Sequence, residues 1–376
     1  MIYKTFQDLQ LSSLGLGCMR LPKLSEKDSD INEAAVEKMV AYALEKGINY
    51  FDTAWGYHEG QSELAMGRVL KQHPRDSFYL ATKFPGFDVK NFQKKEEIFE
   101  RQLEKLQVEY FDFYLCHNVA EKNVDSFLSE EYGLMPYLLE QKKAGKIRHL
   151  GFSTHGSLET MRRFLDAWGH ELEFCQIQLN WLDWEFQDAK SKVELVASYN
   201  IPVWVMEPVR GGKLVNLPES VMAKLNELRP GITGPEFAFR FLQSVPEVTM
   251  ILSGMSNDQQ LEDNIRTFET EQPLTQAEWD VVQEMSREMI AKNKVPCTAC
   301  RYCMEQCPQE LIIPTLLELY GDPLRQPGAK IPVASIGWLP PEKRPTACIG
   351  CRSCEAVCPQ NIPISELLAD FASRLV

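Results

Sequence analysis

The chain has 376 residues, 44% hydrophobic and 25% charged, and its 40 lysines and arginines against 53 aspartates and glutamates give a formal net charge of −13. That length is too great for one ordinary domain and suits a barrel of about 250 residues with a small module attached. The acidic balance, with no basic patch, excludes a nucleic-acid partner, since such proteins concentrate lysine and arginine. The opening MIYKTFQDLQ lacks the apolar core of a signal peptide, and no run of eighteen apolar residues exists to span a bilayer, so a cytoplasmic protein without membrane contact is expected.

In chain order, IYKTFQDLQLSSL reads as a short hairpin and LGLGCM as a first barrel strand. INEAAVEKMVAYALEKG follows with helical apolar spacing and a stop at Gly47. The runs INYFDTA, FYLATK, FDFYLCH, RHLGFS, EFCQIQL, PVWVME and VTMILSG then alternate with helical patterns, eight strands in all. Such βα alternation implies a parallel sheet. The predicted fold class is therefore α/β, a (β/α)8 TIM barrel over residues 1–290, with catalytic residues at the carboxyl ends of strands.

Four polar residues fall at those ends. FDTAWGYHEGQSE places Asp52 and Tyr57 where a strand runs into a loop, FYLATK ends on Lys83, and FDFYLCHN delivers His117. Free tyrosine has a pKa of about 10 and needs a neighbour that favours its ionised form before it can act as a proton donor near neutrality. A lysine ammonium supplies that field, an aspartate keeps the ammonium charged and aimed, and a histidine can orient a carbonyl oxygen. Each residue alone has a structural explanation, as a helix cap, a surface phenol or a hydrogen-bonded strand end. Cys18, Cys116 and Cys175 lie in apolar runs and read as buried thiols.

FDTAWGYHEGQSE, ATK and the CHN that closes the fourth strand resemble the aldo-keto reductases, over roughly residues 1 to 290. The resemblance implies a tetrad of Asp52, Tyr57, Lys83 and His117 and a nicotinamide cofactor, NADP(H) or NAD(H). It implies that Ser153 and Gln176 hold the carboxamide, with Asn180 nearby. Thr154 stands where the family usually has Asn, and Met206 where an aromatic residue commonly stacks. MEPVRGGKL, with Met206, Pro208 and Leu214, resembles the loop that covers the pyrophosphate. In SGMSNDQQLEDNI, Gly254, Met255, Ser256 and Gln260 would approach the 2′ side of the ribose, and Asp263 and Asn264 the adenine. No cation is evident there for a 2′-phosphate, since Arg266 is expected to face elsewhere. The same segment also reads simply as a helix start capped by Ser256 or Asn257.

LTQAEWDVVQEMSREMIAK reads as a helix that seals the barrel, after which the composition changes. Cys297, Cys300, Cys303 and Cys307 precede Pro308, and Cys348, Cys351, Cys354 and Cys358 precede Pro359, a CxxCxxCxxxCP pattern that occurs twice. In two-cluster ferredoxins the fourth cysteine of each motif ligates the other cluster. Two [4Fe-4S] clusters are expected, one on Cys297, Cys300, Cys303 and Cys358, the other on Cys348, Cys351, Cys354 and Cys307. Zinc sites would instead favour paired CxxC units or histidine partners. Residues 291–376 are thus expected to form a mainly helical ferredoxin-type module, with a Pro- and Gly-rich loop at 325–345. The whole chain then resembles bacterial aldo-keto reductases carrying a ferredoxin-like tail.

The implied function is interconversion of a small-molecule carbonyl and its alcohol, the tail serving electron transfer, redox sensing or stability. A flavoprotein or other redox partner would couple one-electron clusters to two-electron hydride chemistry. The alternative is a nucleotide-binding redox sensor or electron-transfer subunit with little turnover. Trp55, Tyr57, His58, Trp181 and Trp184 are expected at the mouth of the site, and the substrate is not readable.

Overall fold

The computed structural model describes residues 1–292, 295–321 and 330–376. An antiparallel hairpin of β1 (Tyr3–Phe6) and β2 (Leu9–Ser12) comes first. Eight strands follow: β3 (Leu14–Gly17), β4 (Tyr50–Asp52), β5 (Tyr79–Phe84), β6 (Phe111–Val119), β7 (Ile147–Thr154), β8 (Phe174–Gln178), β9 (Val203–Met206) and β10 (Val248–Ser253). They pair in chain order and in parallel, and β10 returns to β3 to close the barrel. The expected TIM barrel is present. Its strands are almost continuously apolar because helices cover one face and the filled interior the other. Within β6, every residue except Asn118 is buried.

One end of the barrel is closed by the hairpin. Phe6 and Leu11 join Tyr50, Ala81, Phe113, Leu115, Phe174, Trp204, Met250 and Leu252 in one cluster. The Phe6 ring meets Phe113, His149 and Trp204, all near strand starts, with centroids 5.1 to 5.7 Å away. The carboxyl ends are therefore left to the loops that carry the polar residues.

The chain packs as two compact units, residues 1–208 with 235–274 and residues 209–234 with 275–376. The first contains the hairpin and barrel strands. The helix Gln276–Lys292, expected to seal the barrel, groups with the second. A capping box starts it: the Thr275 backbone N–H donates to Glu278 at 2.6 Å, and the Glu278 N–H returns to the Thr275 hydroxyl. Glu278 also pairs with Arg229 of the same unit.

The cysteine-bearing part of the second unit is built from two similar halves. Helices Tyr302–Glu305 and Ile313–Gly321 in one correspond to Ser353–Ala356 and Ile364–Arg374 in the other. Left-handed residues recur at matching places, Ala299, Arg301 and Glu310 against Gly350, Arg352 and Asn361. Leu316, Leu317, Ile336, Leu368 and Phe371 are among the residues of a shared core. Part of the expected loop, 325–329, lies outside the described residues. Among the described residues no helix is long and apolar enough to cross a membrane.

Candidate active site and cysteine rings

Asp52 ends β4, Lys83 lies near the end of β5 and His117 near the end of β6, so neighbouring strands bring the three together. The Lys83 ammonium donates to Asp52 Oδ1 at 2.5 Å, to the Thr53 carbonyl at 2.8 Å and to the Tyr57 hydroxyl at 3.4 Å. Only 1% of the Lys83 side chain and 4% of that of Asp52 are exposed. Burial pushes the Asp52 carboxyl above its ordinary value, against the opposing pull of Lys83. An ion pair in such surroundings holds its geometry because neither partner has water as an alternative.

Tyr57 is aimed by a tightly wound loop. His58 and Glu59 take φ of 54° and 53°, a left-handed conformation costly for residues with side chains. His58 secures it: its Nε2 accepts the Leu21 N–H at 3.1 Å while Nδ1 meets the Asp28 carbonyl at 2.8 Å. His58 is thus a buried strut, where the sequence reading placed it at the mouth. Behind the loop, Glu63 is fully buried and accepts from Thr82 and Gln102, both at 2.7 Å, and from Lys105 at 3.1 Å. Gln102 also donates to the Lys83 carbonyl at 3.0 Å, and Tyr114 donates to Gln102. This network fixes the backbone that carries Lys83 from outside the barrel.

His117 sits edge-on to Tyr57, centroids 6.1 Å apart, and its Nδ1 has no hydrogen-bond partner among the described residues. Burial, the Lys83 charge and neighbouring His155 together hold its imidazole well below the ordinary range. Cys116 points the other way, its sulfur 3.5 Å from that of Met135. At the mouth stand half-buried Trp55, stacked under Lys105 at 3.8 Å, and Phe87, which is 54% exposed and 6.4 Å from the His117 ring. Phe87 was missed; an apolar residue in the loop FPGFD was its only signal. Trp181 is fully buried and Trp184 packs on Phe241.

The expected nucleotide contacts are distributed as follows. Ser153, on β7, accepts the Asn118 N–H at 2.8 Å, and Gln176, on β8, reaches Asp52 Oδ2 at 3.5 Å. Thr154 is occupied by the Val119 carbonyl and the Gly156 N–H, and Asn180 by Asp183 and the Glu207 carbonyl. Met206 is half-buried at the end of β9, and Pro208 is buried. Leu214 is buried in the second unit. Gly254, Ser256, Gln260 and Asp263 are exposed, while Met255 and Asn264 are buried. Asn257 caps the helix Asp258–Thr267, and Asn264 donates to Ser253 at 3.1 Å. Arg266 pairs with Asp263 at 3.2 Å. A cation nonetheless reaches this turn: Arg20 lies across Gly254, where a Cβ would stand 2.8 Å from its Cγ, and its carbonyl accepts the Ser256 hydroxyl. Its position far earlier in the chain hid it from a local reading.

In the second unit the eight motif cysteines line two small recesses. Cys297, Cys300, Cys303 and Cys358 line one; Cys307, Cys348, Cys351 and Cys354 line the other. Each recess thus takes three cysteines from one half and one from the other. Four cysteine thiols around one recess match the donor set of a cubane cluster.

A family model described as "Aldo/keto reductase family" matches residues 13–287, and one described as "4Fe-4S dicluster domain" matches residues 296–363. Among curated relatives, a "Probable aldo-keto reductase 1" from Glycine max is 30% identical over 215 residues, 55% of this chain and 58% of that protein. The "NADH-specific methylglyoxal reductase" of Escherichia coli is 24% identical over 326 residues, 75% of this chain and 97% of its own. Aldo-keto reductase AKR11C1 from Bacillus halodurans superposes with a TM-score of 0.62 at 24% identity, over 76% of this chain and 96% of that structure. With the closed barrel and the family match over residues 13–287 in agreement, the chain belongs to the aldo/keto reductase family of oxidoreductases and carries a carboxyl-terminal 4Fe-4S dicluster domain.

Proposed function

We propose that the barrel interconverts a small carbonyl compound and its alcohol with NAD(P)H, Tyr57 giving and taking the proton, and that each cysteine ring holds one [4Fe-4S] cluster. The observation that carries this reading is the buried Lys83 ammonium, 2.5 Å from Asp52 and 3.4 Å from the Tyr57 hydroxyl. As Tyr57 releases its proton toward a carbonyl oxygen, the negative charge that develops on the phenol faces Lys83. Asp52 keeps that lysine charged. His117 stays neutral, and a neutral imidazole presents one donor and one acceptor. It can therefore hold the same carbonyl oxygen without adding a second positive charge.

A bound nicotinamide supplies the hydride. Ser153 and Gln176 would hold its carboxamide, and Arg20 with Gly254, Ser256 and Gln260 would hold the adenosine end. Bound clusters exchange electrons singly, and they serve electron transfer, redox sensing or stability, with a flavoprotein or similar carrier as the partner that would couple them to hydride chemistry.

The Escherichia coli relative suggests methylglyoxal as a first substrate, tried with NADH and with NADPH. Tyr57→Phe should lower kcat about 10²- to 10⁴-fold, the span of general acid catalysis, and leave nucleotide affinity unchanged. Undiminished turnover in that variant would remove Tyr57 from the mechanism.

A further inference from the structure

The two cysteine motifs are backbone copies, so each serves as the reference for the other. Both pass through left-handed residues at the third and fifth positions, Ala299 and Arg301 in one, Gly350 and Arg352 in the other. Their surroundings differ.

In the first motif the turn is covered. Gly211 of the same unit lies so close that a Cβ on it would stand 2.7 Å from the Ala299 carbonyl oxygen and 3.1 Å from that of Thr298. Arg210, Gly211 and Gly212 have φ of 50°, 62° and 99°, a tight winding that lays this segment on the turn. It places buried Arg210 and half-buried Lys213 on the segment that covers this turn, either side of the glycine that touches Ala299. In the second motif the turn is open among the described residues: none of them lies within 4 Å of where a Cβ on Gly350 would stand, Ile349 is 62% exposed, and Cys351 is exposed. Arg352 there is itself exposed and pairs with Glu366 at 3.2 Å, and Lys343 nearby is paired with Glu310 at 2.9 Å.

Arg301 and Arg352 occur at matching positions of the two motifs. Arg210 and Lys213 do not. Adding an electron to a cluster makes it more negative, and a cation in an enclosed site stabilises that state far more than one in screened solvent. We propose that Arg210 and Lys213 raise the reduction potential of the cluster held by the Cys297 ring and leave that of the Cys348 ring unaffected. The inference rests on the two-cluster reading above. It makes the halves of the module unequal: the Cys348 ring is the one a one-electron carrier can reach, and the Cys297 ring is the one whose reduced state the protein stabilises.

The test uses the full chain reconstituted anaerobically with iron and sulfide, titrated with dithionite and mediators and followed by low-temperature electron paramagnetic resonance. The transition altered in Cys300→Ser identifies the Cys297 ring. Lys213→Gln should make that ring about tenfold harder to reduce, ~59 mV for a one-electron couple, with the other transition unmoved and the wild-type value regained in Lys213→Arg. The proposal is overturned if neither transition moves, if both move equally, or if the Cys348 ring responds instead. Iron content too low for two clusters, or a single transition in the wild type, would overturn the underlying two-cluster reading.

Discussion

Replacing Lys83 with methionine keeps an unbranched chain one atom shorter and deletes the charge on which the proposed chemistry depends. A unit charge 3.4 Å from the Tyr57 oxygen is worth about 5 kcal/mol at an effective dielectric constant of about 20. If about half of the phenolate charge has developed in the transition state, some 2.5 kcal/mol is lost, on the order of 70-fold in rate. The assay is anaerobic oxidation of NAD(P)H by an aldehyde, with kcat and KM determined separately; kcat should fall about 10²-fold. The fold responds as well. Without Lys83, Asp52 is a buried carboxyl with no cation, and burial already pushes its pKa up. A raised folded pKa means that stability is complete below the ordinary carboxylate range and is lost as pH rises through the raised value. Lys83→Met should therefore melt progressively lower as pH increases, by up to about 3 kcal/mol, and adding Asp52→Asn should flatten the profile. Near-wild-type kcat would show that the Lys83 charge does not act on Tyr57, and a pH-independent melting temperature would show that Asp52 and Lys83 are not coupled.

Three further outcomes are expected. Cys358→Ser should perturb the same cluster signal as Cys300→Ser, although the two residues belong to different motifs; separate signals would break the assignment of rings. Gly67→Ala should destabilise the barrel by about 1–3 kcal/mol, because the added Cβ would stand 2.1 Å from the Lys105 carbonyl, and an unchanged melting temperature would refute that close approach. Burial and then the Lys192 charge hold His155 down to about 4, so the stability it confers is complete above about pH 6.5 and lost as pH falls toward 4, on the order of 3 kcal/mol. His155→Gln should flatten that acid limb, and an unaltered limb would point to other groups.

Much of the fold was legible because its signals are local. Alternation of apolar strands with amphipathic helices carries the barrel, since each βα unit must bury its faces the same way. A residue at a strand's end is delivered to the barrel's carboxyl rim by the strand itself, so Asp52, Lys83 and His117 could be placed without knowing their partners. The cysteine spacing was similarly informative, as thiolates two and three residues apart define one turn around a recess. Tertiary structure decided what depends on residues distant in the chain. Only in the fold does Glu63 become the anchor behind Lys83, His58 the strut under Tyr57, and Trp181 core. Only there does Arg20 reach Gly254, and Gly211 cover one cysteine turn while its counterpart stays open among the described residues. Periodicity tells which face of an element is buried, but not which distant side chain lies against it; close packing between elements settles that.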